Sequence, residues 1–305
     1  NTPDDKTDDK DTVKVGDVVN YQLTPEIPSY PKNAVNKTLY ITDTMTEGLT
    51  FLFDTLEVTL SVNGELADDD DIKLTRTGNN FYWDNKLVAT AWRITDTNEE
   101  DKGFGLNFVY DTLVIDKENA YAYTPIIEYS ALVNDKAVVG KEGNTNETTL
   151  YYTNKPNQEG TWEPSERSPF PTEAEDIQSI KDDEIVYTYE LAIHKVGEDS
   201  VNLADAIFGV YTDPGCTNLI DKIQTNSSGY AVSTKVTAGT YFIKEIEAPD
   251  GYSLNKDVFE VKANWKTVTT KNSATVTDFE YTSVKEDAIT VQDYWVEQKQ
   301  VLIET

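Results

Sequence analysis

Apolar and polar residues alternate in short runs along nearly the whole chain, and helical spacing of apolar positions is almost absent. In "TLYITDTM", Leu39, Ile41, Asp43 and Met45 fall on one face, and Thr38, Tyr40, Thr42 and Thr44 on the other. The series begins at "VKVGDVVNYQL". It continues through "LEVTLSVNG", "FYWDN", "GLNFVYDTLVI", "YTPIIEYSALVN" and "TTLYYTN", with Gly, Asn and Asp turns between the runs. Residues 155–183 have little periodicity and carry Pro156, Pro164, Pro169 and Pro171, which predicts a long loop or linker. A second series follows: "IVYTYELAIHKV", "AIFGVYTD", "GYAVSTKV", "GTYFIKEI", "DVFEVKA", "TVTDFEY" and "AITVQDYWV". Strands at this spacing predict an all-β protein, two immunoglobulin-like sandwiches in tandem, at 1–185 (including the 155–183 loop) and 186–305.

Three ionisable residues break the alternation of the second series. In "YFIKEIEAPDGY", Glu245 shares a face with Tyr241 and Ile243. Lys195 lies in register with Leu191 and Ile193, and Asp293 with Ile289 and Val291. An unpaired charge in a core is costly, so a lysine, a glutamate and an aspartate aimed inward are best explained if they meet. One outcome is a buried salt-bridge network. The other is chemical: burial favours a neutral amine and a protonated Glu245, the Lys195 amine attacks the Asp293 carbonyl, and Glu245 carries the protons. Loss of one water would leave a Lys–Asp isopeptide bond, a single-turnover self-modification rather than an enzyme activity.

Composition narrows the partners. With 26 Lys+Arg against 55 Asp+Glu, the 305-residue chain has a net charge of −29. Phosphate backbones and anionic membrane surfaces would repel it. Aromatic residues make up 11% of the chain, including 18 Tyr, which argues for a folded protein despite the acidity. The acid run "ADDDDIKL" lacks the EF-hand spacing and reads as a solvated loop. One cysteine, Cys216, forbids an internal disulfide, and with one histidine, His194, a zinc site is not expected; no metal or cofactor is predicted. No run is long and apolar enough to span a membrane, and no signal-peptide pattern opens the chain, so it is expected to be a processed fragment.

The residues around Glu245 resemble a family. "YFIKEIEAPDGY" resembles the E-box of the sortase-assembled pilins of Gram-positive bacteria, and "HKVGEDSVNLADAIFGVY" resembles the first strands of their CnaB-type domains. The resemblance covers about 186–305. It implies a bond from the strand lysine, Lys195, to Asp293 in the last strand, with Glu245 as catalyst; Asp293 stands where Asn is commoner. "VGDVVNYQLTPEIP", "LYITDTMTEGLTF" and "TLYYTNKPN" resemble the preceding, CnaA-like domain of such pilins. That resemblance implies a second bond, from Lys6 to Asn154, with Asp43 as catalyst. Alternation puts Asn154 with Leu150 and Tyr152, and Asp43 with Leu39 and Ile41. Lys10 is an alternative to Lys6, and Glu128 to Asp43.

The resemblance also implies covalent polymerisation by sortase and a place in a cell wall-anchored pilus. "SYPKN" offers Lys32 as the receiving lysine, and the terminal "LIET" offers Thr305 as the residue joined to the next subunit, with Ile303 where the signal has proline. Two rival classes are kept. In the first, the sandwiches are adhesin stalks whose Trp83/Trp92 region binds a host extracellular protein or glycan. In the second, the chain is a secreted enzyme built on paired carboxylates.

Overall fold

A computed structural model describes residues 12–62, 71–116, 121–139, 142–171, 175–263, 266–269, 275–278 and 289–292. It divides into two compact units. One comprises Gly16–Lys136 and Asn144–Ile185. The other is built from Val186 onward and takes in the segment ending at Val15 and the stretch Ala137–Gly143, as far as these are described. Among the described residues the regular structure is β-strand and short 3-10 turns.

The first unit is a sandwich. One sheet runs in the order Val18–Leu23, Thr124–Val133, Glu57–Ser61, Ile72–Lys73, with Leu49–Phe51 also paired to Thr124–Val133. The other has seven strands, in the order Ile177–Val186, Asn144–Thr153, Leu39–Met45, Asp101–Phe108, Lys86–Thr95, Asn80–Trp83, Thr75–Thr77. The inner faces meet through rings: Phe51 packs on Phe104 at 5.2 Å, and Phe104 on Tyr129 at 5.0 Å between centroids. Leu39, Ile41, Leu49, Leu60, Leu106 and Ile127 are all buried beside them. Each such side chain stabilises the fold by about 1.5–3 kcal/mol relative to exposure.

The predicted loop at 155–183 is shorter than the sequence suggests. Ile177–Val186 is an edge strand paired to Asn144–Thr153, and most of its residues are exposed. Its "IQSIKDDE" carries almost no apolar signal because an edge strand with a wet face needs none. The acid run is outside the described residues up to position 70; Ile72–Lys73 is a short strand.

The second unit pairs a three-stranded sheet, Tyr230–Val232, Ala192–Val196, Ile289–Gln292, with a four-stranded one, Leu219–Gln224, Ile207–Tyr211, Gly239–Glu247, Val258–Ala263. Ala192–Val196 and Ile289–Gln292 run parallel, with Lys195 opposite Val291. The unit's first strand is thus hydrogen-bonded directly to a strand almost a hundred residues later. Leu191, Ile193, Phe208, Val210, Tyr241 and Ile243 form the core.

Candidate functional site

Each unit buries ionisable side chains in its core. In the second unit, alternation turns Lys195 inward from Ala192–Val196 and Glu245 inward from Gly239–Glu247, together with Ile193, Tyr241 and Ile243. The two side chains are fully buried, and Lys195 Nζ lies 2.7 Å from Glu245 Oε1. Glu245 pairs in register with Phe208, and the Lys195 ammonium sits 5.5 Å from that ring's centroid. The other carboxylate oxygen, Oε2, accepts a 2.6 Å hydrogen bond from the backbone N–H of Asn255, just past the "APDGY" turn. That turn therefore fixes the glutamate's orientation. Asp293 is outside the described residues; the last strand is described to Gln292, which stands opposite Val196.

His194 faces the other way from Lys195. Its ring stacks on Tyr230 at 4.2 Å, and Nε2 lies 2.8 Å from Asn202 Oδ1. It takes no part in the buried cluster.

In the first unit the buried cluster is centred on Asp43, which is wholly inaccessible to solvent. Three donors converge on its Oδ2: Tyr129 Oη at 2.6 Å, Thr148 Oγ1 at 2.6 Å and Asn146 Nδ2 at 3.1 Å. Asn146 Nδ2 also donates to Tyr129 Oη at 2.8 Å. Among the described residues, Asp43 Oδ1 and Asn146 Oδ1 have no hydrogen-bond partner. Burial pushes the Asp43 carboxyl up to about 6, against the lowering effect of its three donors. The neighbouring strand comes very close here. A side chain at Gly103, whose φ is +155°, would meet the Asp43 carbonyl oxygen at 1.8 Å, so glycine is required beside this site.

Asn154 is not part of this cluster. In the register, Thr148 stands opposite Asp43 and Asn146 opposite Met45. Asn154 lies six residues beyond Thr148, about 20 Å along an extended chain. It is exposed, past the end of the strand, and its N–H is bonded to the Asp176 carbonyl. The buried asparagine that touches Asp43 is Asn146, which the sequence reading passed over although it shares the parity of Asn154. Glu128 is only partly buried and pairs with Gln22 and Glu57, on the face away from Tyr129. Lys6 and Lys10 are outside the described residues. A cleft of about 290 Å³ is lined by Leu23, Ile41, Thr148, Leu150 and Ile180.

Lys32 is exposed in a turn closed by the Ala34 N–H on the Pro31 carbonyl. Thr305 is outside the described residues. Trp92 is buried and stacks on Tyr40, while Trp83 is about one-third exposed and packs edge-on against Tyr123. Among the described residues, no helix is long and apolar enough to cross a membrane.

Residues 15–156 match the family model of Gram-positive pilin backbone subunit 2, Cna-B-like domain, and residues 189–278 match that of SpaA, a prealbumin-like fold domain. The first description reads Cna-B-like where the sequence resemblance led us to expect CnaA-like. The chain is 42% identical over 282 residues to the trypsin-resistant surface T6 protein of Streptococcus pyogenes serotype M6, covering 92% of this chain and 48% of that protein. It superposes with a TM-score of 0.66 at 38% identity on the T6 backbone pilin of serotype M6 Streptococcus pyogenes, described as a modular three-domain structure, over 85% of this chain and 51% of that one. The fold is shared with the group B streptococcus pilus 2b backbone protein, TM-score 0.59 at 18% identity, over 93% and 95% of the two chains. The chain thus spans about half the length of the first two relatives. Both units carry matches to pilin domains, and over most of its length the chain is a homologue of Gram-positive backbone pilins.

Proposed function

We propose that this chain is the two-domain part of a structural subunit of an extracellular pilus, joined covalently to neighbouring subunits and strengthened by isopeptide bonds that it forms itself. The observation that carries the chemistry is the fully buried Lys195–Glu245 pair at 2.7 Å. A proton passed from the ammonium to the carboxylate turns this pair into a neutral amine and a neutral acid, which a low-dielectric core favours over separated charges. The amine then attacks the Asp293 side-chain carbonyl and Glu245 protonates the departing oxygen. The nitrogen–carbon bond forms, the carbon–oxygen bond breaks, and one water leaves. The parallel pairing of Ala192–Val196 with Ile289–Gln292 supports this reading, because it puts the lysine strand beside the strand leading to Asp293.

In the first unit the acceptor is Asn146, with Asp43 as proton carrier and an amine from the N-terminal segment, Lys6 or Lys10, as nucleophile. Here one ammonia leaves. Both reactions are single-turnover, so the chain is not an enzyme. A link between first and last strands carries tension through covalent bonds. Closing a loop of about 100 residues also stabilises the fold by about 4–5 kcal/mol in the chain-entropy model. Sortase would use Lys32 as acceptor and Thr305 as donor in joining subunits and anchoring the fibre to the cell wall. An adhesin role for the Trp83/Trp92 surface has less support, since Trp92 is buried.

Intact-protein mass tests the reading. The protein should weigh one water and one ammonia less than its sequence, and Glu245→Ala should restore the water alone. An unaltered wild-type mass would sink the proposal. Sortase-driven assembly of the full-length precursor, lost in Lys32→Arg, tests the polymer separately.

A further inference from the structure

We propose that Tyr129 is a catalytic residue of the Asp43–Asn146 site, relaying a proton to the nitrogen that leaves Asn146. This rests on the reading of Asn146 as the acceptor of a lysine amine. Asp43, Asn146 and Thr148 all come from the seven-stranded sheet, whereas Tyr129 reaches them from the facing sheet. Its hydroxyl oxygen touches both reacting partners, lying 2.8 Å from Asn146 Nδ2 and 2.6 Å from Asp43 Oδ2. Thr148 hydrogen-bonds Asp43 and lies by the Tyr129 hydroxyl, but among the described residues no hydrogen bond joins it to Asn146.

The ring has little freedom to do otherwise. It stacks on Tyr21 at 5.3 Å and meets Phe104 and Phe51 edge-on, with 2% of its surface exposed. Burial and the Asp43 charge hold the phenol well above its usual range, so it stays a hydroxyl that can give and receive a proton together.

The step balances without an outside reagent. The amine nitrogen bonds to Asn146 Cγ, and Asp43 takes the proton which that nitrogen sheds. Protonated Asp43 gives its proton to Tyr129 Oη while the Tyr129 hydroxyl proton passes to Nδ2. The Cγ–Nδ2 bond breaks, ammonia leaves, and Asp43 and Tyr129 return to their starting forms. Asn146 Oδ1, which has no partner in the resting cluster, carries the transient negative charge and ends as the new amide carbonyl.

The experiment compares Tyr129→Phe with Thr148→Val in the full chain. Each removes one hydrogen bond to Asp43, and only the first removes a contact to the leaving nitrogen. Ammonia loss is followed by intact mass, and the Asn146 cross-link by peptide mapping. The Tyr129→Phe protein should close about a hundredfold or more slowly than Thr148→Val, within the usual range for a general acid. Equal rates would reduce Tyr129 to a holder of Asp43 and overturn the proposal.

A second measurement guards against a folding defect. Fluorotyrosine at position 129, in the Thr148→Val background, keeps every hydrogen bond but makes the phenol more acidic. It should change the rate and pH profile of closure, and an unchanged profile would overturn the relay. A wild-type protein with no Asn146 cross-link would instead refute the acceptor reading beneath it.

Discussion

The two units solve one physical problem in opposite ways. Both bring an ionisable side chain into a sandwich core, but the second unit answers Glu245 with a full opposite charge, whereas the first answers Asp43 with three neutral donors. All three donors fall on one oxygen, and burial still pushes the carboxyl up to about 6 against them. A charge pair can be made neutral by moving one proton within it. A hydrogen-bonded acid must exchange its proton with the reacting groups. The difference predicts different failures when each cluster is broken.

The largest effect is expected in the ion pair. Glu245→Ala removes one partner of the buried Lys195–Glu245 pair, a cost of about 3–5 kcal/mol. On the proposed chemistry it also removes the catalyst of the Lys195–Asp293 cross-link, and with it about 4–5 kcal/mol of chain constraint. The double variant Lys195→Met/Glu245→Leu would lose the same cross-link, but it removes both members of the pair together. Chemical denaturation should therefore find the single variant less stable than the double one. Equal stabilities would mean that the pair is not charged in the unlinked fold.

The hydrogen-bonded acid should instead show itself through pH. The Asp43 carboxyl titrates at about 6 in the folded protein against 3.8 when unperturbed, so the folded state holds the proton more tightly. Asp43 therefore contributes stability fully below the unfolded value, and that contribution is lost as pH rises from about 4 to 6. The amount is about 3 kcal/mol. Asp43→Asn keeps the shape and abolishes the titration. Thermal unfolding of the first unit between pH 4 and pH 7 should flatten in that variant relative to wild type. A wild-type curve with no decline across that window would contradict the raised carboxyl.

How far these clusters were legible depends on what alternation can encode. Period two assigns a face, and it put Glu245, Lys195 and Asp43 inward. It does not assign a height along the strand, so Asn146 and Asn154 looked equivalent until the pairing of Thr148 with Asp43 placed one beside the acid and the other far past it. Tyr129 was missed for a related reason: its role depends on which residue of the facing sheet lies across from Asp43, and no local pattern carries that. The Ile177–Val186 strand was hidden because an exposed edge needs few apolar residues. The two-sheet architecture, by contrast, was written in every run of alternating residues.

The smallest expected effect comes from a third carboxylate, which reverses the sign found for Asp43. Asp176 closes the loop that precedes the edge strand. Its carboxylate accepts from the Thr161 hydroxyl and N–H and from Asn36 Nδ2, and its carbonyl accepts from Thr153 Oγ1 and the Asn154 N–H. These donors, the Thr161 hydroxyl first, hold its carboxyl below the usual range. Its contribution is therefore present above the unfolded value and lost as pH falls through the folded one, below about 4. Asp176→Ala should cost about 1.5–2 kcal/mol, the low end of the scale for hydrogen bonds to a charged group. The same loop packs Trp162 against Tyr40 and Tyr151 and carries the exposed Arg167. Releasing it should make the chain cleavable by trypsin after Arg167 while the rest of the unit stays folded. Cleavage at Arg167 that is equally fast in wild type would show that Asp176 does not hold the loop.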